Sequence, residues 1–258
     1  MPYILTLLTA LALVSTSSAA EYVWDGGSVS SNNWTNNVNW VGNLAPVSSF
    51  SNDFRFEGST RLSPTVNVPF NMNSLIFGAT AQNFTFTGET FSIGTGGLIS
   101  NSTYKQTLNN KVALTANQNW NVSLADGVVE AKGAISGAGF GINKTGPGTL
   151  LLTGINTYTG TTTITGGTLQ WGTNNAISNF SNIVLAGGRI DTNGYNDFLG
   201  SLTLTADSTI HFGEGSGGDS SFLVFRNSSS NIWNPSATLT ITGWNGSLQG
   251  DGLDQLIF

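Results

Sequence analysis

The chain has 258 residues and a net charge of −6, and only 9% of its side chains are charged, against roughly a quarter in ordinary soluble proteins. Hydrophobic residues make up 39%, which excludes the apolar-poor, highly charged composition of a disordered chain. The acidic balance excludes the basic footprint of a nucleic-acid binder or of docking on anionic lipid, and the absence of cysteine excludes disulfides, thiol catalysis and cysteine-based metal sites.

In chain order, the first 20 residues stand apart. Ile4 to Val14 is an apolar run of signal-peptide length, and Ser18-Ala19-Ala20 offers small residues for cleavage after Ala20. Only the α-amino group supplies positive charge ahead of it. No later apolar stretch reaches the ~20 residues of a membrane helix. The expectation is an exported chain with a signal peptide at 1–20, a mature form of 21–258 and no transmembrane helix.

Residues 21–70 hold three of the seven tryptophans (Trp24, Trp34 and Trp40) and three of the six prolines (Pro46, Pro64 and Pro69). Turn signals outnumber strand signals there. A stack of coils needs its first coil covered, or the open edge templates aggregation. This segment is read as an aromatic-rich N-terminal cap.

From residue 71 the sequence breaks into short β-type runs separated by Gly, Asn, Asp and Ser. Leu75-Ile76-Phe77, Phe84-Thr85-Phe86, Val112-Ala113-Leu114, Leu150-Leu151-Leu152, Thr162-Thr163-Ile164, Ile183-Val184-Leu185 and Leu202-Thr203-Leu204 are examples. Many alternate apolar residues with Thr or Ser, the period of a strand with one buried face. Ile164 to Val184 is 20 residues, Val184 to Thr203 is 19, and Thr203 to Val224 is 21. A recurrence near 20 predicts a solenoid rather than a sandwich. The fold expected is all-β, a right-handed parallel β-helix or β-solenoid over 71–258, turning at corners such as Gly166-Gly167 and Gly187-Gly188. Its low charge fits, because like charges stacked ~4.8 Å apart on successive coils repel. The run from Leu253 to Phe258 reads as a final strand.

One segment carries a denser pattern. It runs Lys144, Gly146, Gly148-Thr149-Leu150, Leu152, Gly154, Asn156-Thr157-Tyr158-Thr159-Gly160, Thr162 and Gly167-Thr168-Leu169. These residues, within 142–172, closely resemble the autotransporter-associated β-strand repeat, or passenger-associated transport repeat. Looser relatives of the pattern lie at Phe91 to Ser100 and Ile183 to Thr192. Trp24-Asp25-Gly26, Asn33-Trp34 and Asn39-Trp40 resemble the start of such secreted proteins. The resemblance implies a parallel β-helix passenger, exported and displayed on a Gram-negative-type cell surface with an outer-membrane secretion partner. It implies no catalytic residues. These 258 residues leave no room for a barrel translocator, and no Pro-Glu-Pro sorting tail is visible. The chain is expected to be either secreted whole or the N-terminal piece of a longer passenger.

Chemistry-bearing motifs are sparse. His211 alone cannot make a zinc site, and alternation places it on an outer strand face. Gly213-x-Gly215-x-x-Gly218 leads into the strand-like Phe222 to Phe225, so no helix N-terminus is present to cradle phosphate. Glu214 and Asp219 in that loop supply too few oxygens for calcium. Asp191 and Asp197, near Arg189, are the candidate acids for a polysaccharide-cleaving reading. Trp171, Trp233 and Trp244 are the candidate glycan contacts for an adhesin reading. The leading expectation is a structural passenger or stalk segment without catalytic activity, cofactor or metal. Its partners would be the secretion machinery and an extracellular polysaccharide or cell-surface glycan.

Overall fold

A computed structural model describes residues 19–214, 221–245 and 254–258. Most of the expected signal segment lies outside the described residues, as do Gly215, Gly218 and Asp219 of the two loop motifs and Leu253. Ala19 and Ala20 are exposed and lead straight into the first strand.

The described residues form 23 short strands and two single-turn 3-10 helices. Every ladder between named strands is parallel, and together they build a β-solenoid. The backbone of the first sheet is Glu21–Trp24, Asp53–Phe56, Phe70–Phe77, Phe91–Ser100, Gln118–Val122, Ile142–Thr145, Thr162–Ile164, Ile183–Ala186 and Leu202–Ala206. The second is Thr65–Val66, Thr85–Gly88, Lys105–Leu108, Val128–Ala131, Thr149–Leu152, Thr168–Trp171, Arg189–Asp191, Ser208–His211 and Leu239–Thr242. The chain alternates between them. A shorter third sheet, Asp197–Leu199, Phe222–Phe225 and Gln255–Ile257, appears only late in the chain.

Strand alternation sets what faces inward. In the second sheet Val129, Leu150, Leu169, Ile190 and Ile210 stand in register and are buried, forming one aliphatic column. In the first, Ile164, Leu185 and Leu204 do the same. Each such side chain contributes roughly 1.5–3 kcal/mol on leaving water. The outward rows are polar, such as Thr149 beside Thr168.

The period near 20 holds with two corrections. Thr163, Val184 and Thr203 share a row, whereas Ile164 stacks on Leu185 and Leu204. Val224 is not the next step of that row. It pairs with Phe198 in the third sheet. Alternation in Phe222–Phe225 announces a strand but carries no information on which sheet receives it.

The strands of the aromatic end belong to the first sheet of the solenoid. Glu21–Trp24 pairs with Asp53–Phe56, and that strand pairs with the end of Phe70–Phe77. Trp24, Phe56 and Phe77 therefore form the first steps of the same interior column. Covering is done by the turns between the first two strands. Trp40 folds back to make an antiparallel bridge with Trp24, and its Nε1 donates to the Trp34 carbonyl at 2.7 Å. Trp34 is fully buried, with ring centroids 5.4 Å from Phe54, 5.5 Å from Phe56 and 5.6 Å from Phe86. The first coil is thus plugged by rings rather than by a helix. Among the described residues no helix is long and apolar enough to cross a membrane.

Trp34→Ala is expected to cost about 3–5 kcal/mol. The check is a urea titration, in which the midpoint should fall further than for Trp34→Phe, which keeps most of the packed ring.

Candidate functional site

Lys144 is the last inward-facing residue of the strand Ile142–Thr145 and is fully buried. An ammonium group has three protons to donate. All three find carbonyls: Thr145 O and Gly146 O at 2.8 Å, and Gly166 O, on the next coil, at 3.2 Å. Burial lowers its pKa to about 8. The same corner requires glycine. Gly146 and Gly167 have φ of 73° and 61°, and a Cβ on them would run into the carbonyls of Val122 and Gly148 on the preceding coil.

Beyond the corner, Thr149, Leu150 and Leu152 lie directly under Thr168, Leu169 and Trp171 of the following coil. Gly154 then turns the chain towards Asn156, which is buried and joins three coils. Its Oδ1 accepts from Ile135 N at 2.7 Å, and its Nδ2 donates to Gly154 O at 3.1 Å and Ala176 O at 2.6 Å. Thr157 N donates to Ile135 O at 2.8 Å, and Thr159 Oγ1 accepts from Gly139 N at 2.8 Å. Tyr158 is fully buried, with its hydroxyl 2.8 Å from Thr162 Oγ1. Thr162 Oγ1 lies 2.9 Å from Ser181 Oγ, which donates to Gly160 O at 2.7 Å. Burial pushes the Tyr158 phenol upward, so it stays neutral. Lys144, Asn156, Thr159 and Thr162 therefore join one coil to another, and Tyr158 braces Thr162.

One residue of this kind escaped the sequence reading as a structural group. Asp197 is 1% exposed. Its Oδ2 accepts from Ile177 N at 3.0 Å, as Asn156 accepts from Ile135 N on its own preceding coil. The other end of Asn156 is a donor, whereas the other oxygen of Asp197 has no partner. Desolvation pushes the carboxyl up to about 8, against the opposing backbone hydrogen bonds.

The remaining candidates scatter. Asp191 belongs to the second sheet and is held by Arg189 at 3.1 Å and Asn193 N at 3.0 Å, while Asp197 opens the third sheet. The two carboxylates thus stand on different sheets, each already engaged. His211 is half-exposed on an outer face, its Nδ1 2.9 Å from Thr242 Oγ1. Gly213 and Glu214 follow it as irregular chain. Among the described residues no three His, Asp or Glu side chains converge on a metal position. Of the proposed glycan contacts, Trp171 must be corrected. It is fully buried, because its place at the end of Thr168–Trp171 stacks it on Leu152 in the interior. Trp233 is half-buried, donating to Leu202 O at 3.1 Å. Trp244 is 36% exposed, and its Nε1 donates to Asp254 O at 2.9 Å.

The clustering of stacking residues between 142 and 170 has a counterpart in known proteins. Residues 142–170 match the passenger-associated-transport-repeat family. The repeat thus coincides with the coil whose lysine, glycines, asparagine and tyrosine were described above. The wider chain is similar to the adhesin BmaC autotransporter of Brucella suis biovar 1 (strain 1330), with 27% identity over 225 residues. That similarity covers 81% of this chain but only 6% of the relative, so this chain spans a small part of the relative's length. No solved structure matches.

Two outcomes follow from the buried polar groups of the repeat and its neighbour. Lys144→Met leaves three buried carbonyls without their donor and is expected to lower stability by about 1–3 kcal/mol, read from the urea midpoint. Asp197 has its folded pKa raised above the unfolded value of 3.8 to about 8. Its contribution is therefore complete below about pH 4 and is lost as pH rises through about 8. Thermal melts between these limits should fall with pH in the native sequence, and Asp197→Asn should flatten the decline.

Proposed function

We propose that this chain is an exported, surface-displayed passenger segment that serves as a rigid β-solenoid stalk and acts without catalysis. The observation that carries the reading is the use made of the repeat: its lysine, asparagine and Thr162 bind coil to coil, and its tyrosine braces that threonine. Such a coil offers length and stiffness. Its similarity to an autotransporter adhesin supports display outside the cell through an outer-membrane secretion partner. The candidate signal segment ending at Ala20 supports export in the same direction. The low charge and uniform Thr- and Asn-rich outer rows suit an extended surface rod.

An adhesive role is the second reading, supported by the name of the relative and by the exposed ring of Trp244. A polysaccharide-cleaving role has less support, since Asp191 and Asp197 stand on different sheets.

Protease treatment of intact native cells, followed by an immunoblot with antibody to residues 141–172, tests the main reading. Loss of the band from whole cells, or its recovery in the medium, is expected. A band that resists protease until the cells are lysed overturns surface display. Shortening of polysaccharide chains by the purified protein, abolished by Asp191→Asn, would overturn the non-catalytic assignment.

A further inference from the structure

On the outer side of the first sheet, midway along the solenoid, three consecutive coils leave a groove of about 430 Å³. This is within the ~300–1,000 Å³ of ligand sites. It arises because the chain departs from the main sheet path. Val112–Leu114 and Ile135–Ser136 pair off that path, and the turns after them bring Asn117, Gly139 and Gly141 into the lining beside Gln118–Val122 and Ile142–Thr145. Gly141 and Gly160 form part of the lining, where a Cβ would strike the backbone of Thr161 and Phe140. No side chain can therefore fill the groove at those points. Complete coils flank it on both sides, so it is not the unfinished end of a stack.

Its lining holds no charged and no aromatic side chain. It is made of amides and hydroxyls whose hydrogen-bonding capacity is only partly used. Asn117 Oδ1 accepts from Gly141 N at 2.9 Å, which leaves its NH₂ group free. Asn143 Nδ2 donates to Asn119 Oδ1 at 3.0 Å and its Oδ1 accepts from Thr165 Oγ1 at 3.2 Å, which fixes the Asn143 side chain and leaves the Asn119 NH₂ group without a protein partner. Thr161 is exposed and Thr163 half-exposed, and both hydroxyls lack a protein partner. The amides are held in place by a ladder across coils, so little ordering entropy remains to be lost on binding.

We propose that this groove is a binding site for a neutral glycan, engaged edge-on through its hydroxyls by Asn117, Asn119, Asn143, Thr161 and Thr163. A polyhydroxylated ligand both donates and accepts, as these groups require, and its lack of charge matches theirs. Phosphate, nucleotide or uronate ligands find no cation here. Without a ring to stack on, binding is weak and gains from repetition along a polymer. The proposal goes beyond the stalk reading and does not depend on where the chain is displayed.

The test is chemical-shift mapping on the ¹⁵N-labelled mature chain. It is titrated with maltoheptaose, cellohexaose and laminarihexaose, with hexagalacturonate as the charged comparator. Shifts are expected in the side-chain amides of Asn117, Asn119 and Asn143 and the backbone amides of Gly139, Gly141 and Gly160, from at least one neutral oligosaccharide. Asn119→Ala and Thr163→Val, both on the outer face, should each weaken that binding up to about tenfold with an unchanged strand-type circular dichroism spectrum. Absence of shifts from every neutral oligosaccharide overturns the proposal. So does binding that maps to Trp233 or Trp244, binding indifferent to both substitutions, or preference for the uronate.

Discussion

Everything in this molecule depends on parallel stacking of one coil upon the next. Backbone N–H and C=O groups need partners, and here they find them in the coils above and below. That solution brings a demand with it. Each side chain has a neighbour at the same position ~4.8 Å away, so each column along the axis must hold groups that tolerate one another. Aliphatic columns meet the demand inside, as Leu150, Leu169 and Ile190 do. Threonine and asparagine meet it outside, through hydroxyl and amide ladders. The scarcity of charge is the same demand seen in composition. Lys105 with Glu130 at 2.6 Å puts opposite signs on adjacent coils, whereas Arg189 with Asp191 pairs within one strand.

The architecture was legible because stacking leaves a period in the sequence. Val184 and Thr203 were counted as successive steps and do share a row, whereas Ile164, counted before them, stands one residue off it. The glycines at 167 and 187 announced corners, and the structure places positive φ at both. What periodicity could not supply was the assignment of a strand to a sheet. Val224 has the pattern of a fourth step yet belongs to the third face, because inward-outward alternation is common to all three sheets. The aromatic start was visible as composition, but its continuity with the solenoid was not. Trp24, Phe56 and Phe77 are in register only because long turns between them return the chain to the same edge.

The polar groups were harder to read. Lys144 looks like a surface residue by type, and only its three carbonyl partners reveal an interior clamp. Trp171 looks like a binding ring by type, and its position at the inward end of a strand makes it core. Asp197 was noticed for its proximity in sequence to Asp191, yet its meaning lies in its likeness to Asn156, 41 positions earlier in the chain. In each case at least one partner sits one coil away, about 20 residues off in sequence: Gly166 for Lys144, Leu152 for Trp171 and Ile177 for Asp197. Local pattern does not show it. The outward groove is invisible for a related reason: it is shaped by where strands leave the main sheet, and not by any residue that stands out in the sequence.

The ladders of uncharged amides and hydroxyls have a bearing on habitat. Dissolved ions weaken interactions between exposed charges, over about 8 Å at physiological ionic strength and about 3 Å at 1 M. A rod whose coils are joined by neutral hydrogen bonds and buried hydrocarbon has few such interactions to lose. Its stiffness should change little between dilute freshwater and brine, where a solenoid held by rows of ion pairs would slacken.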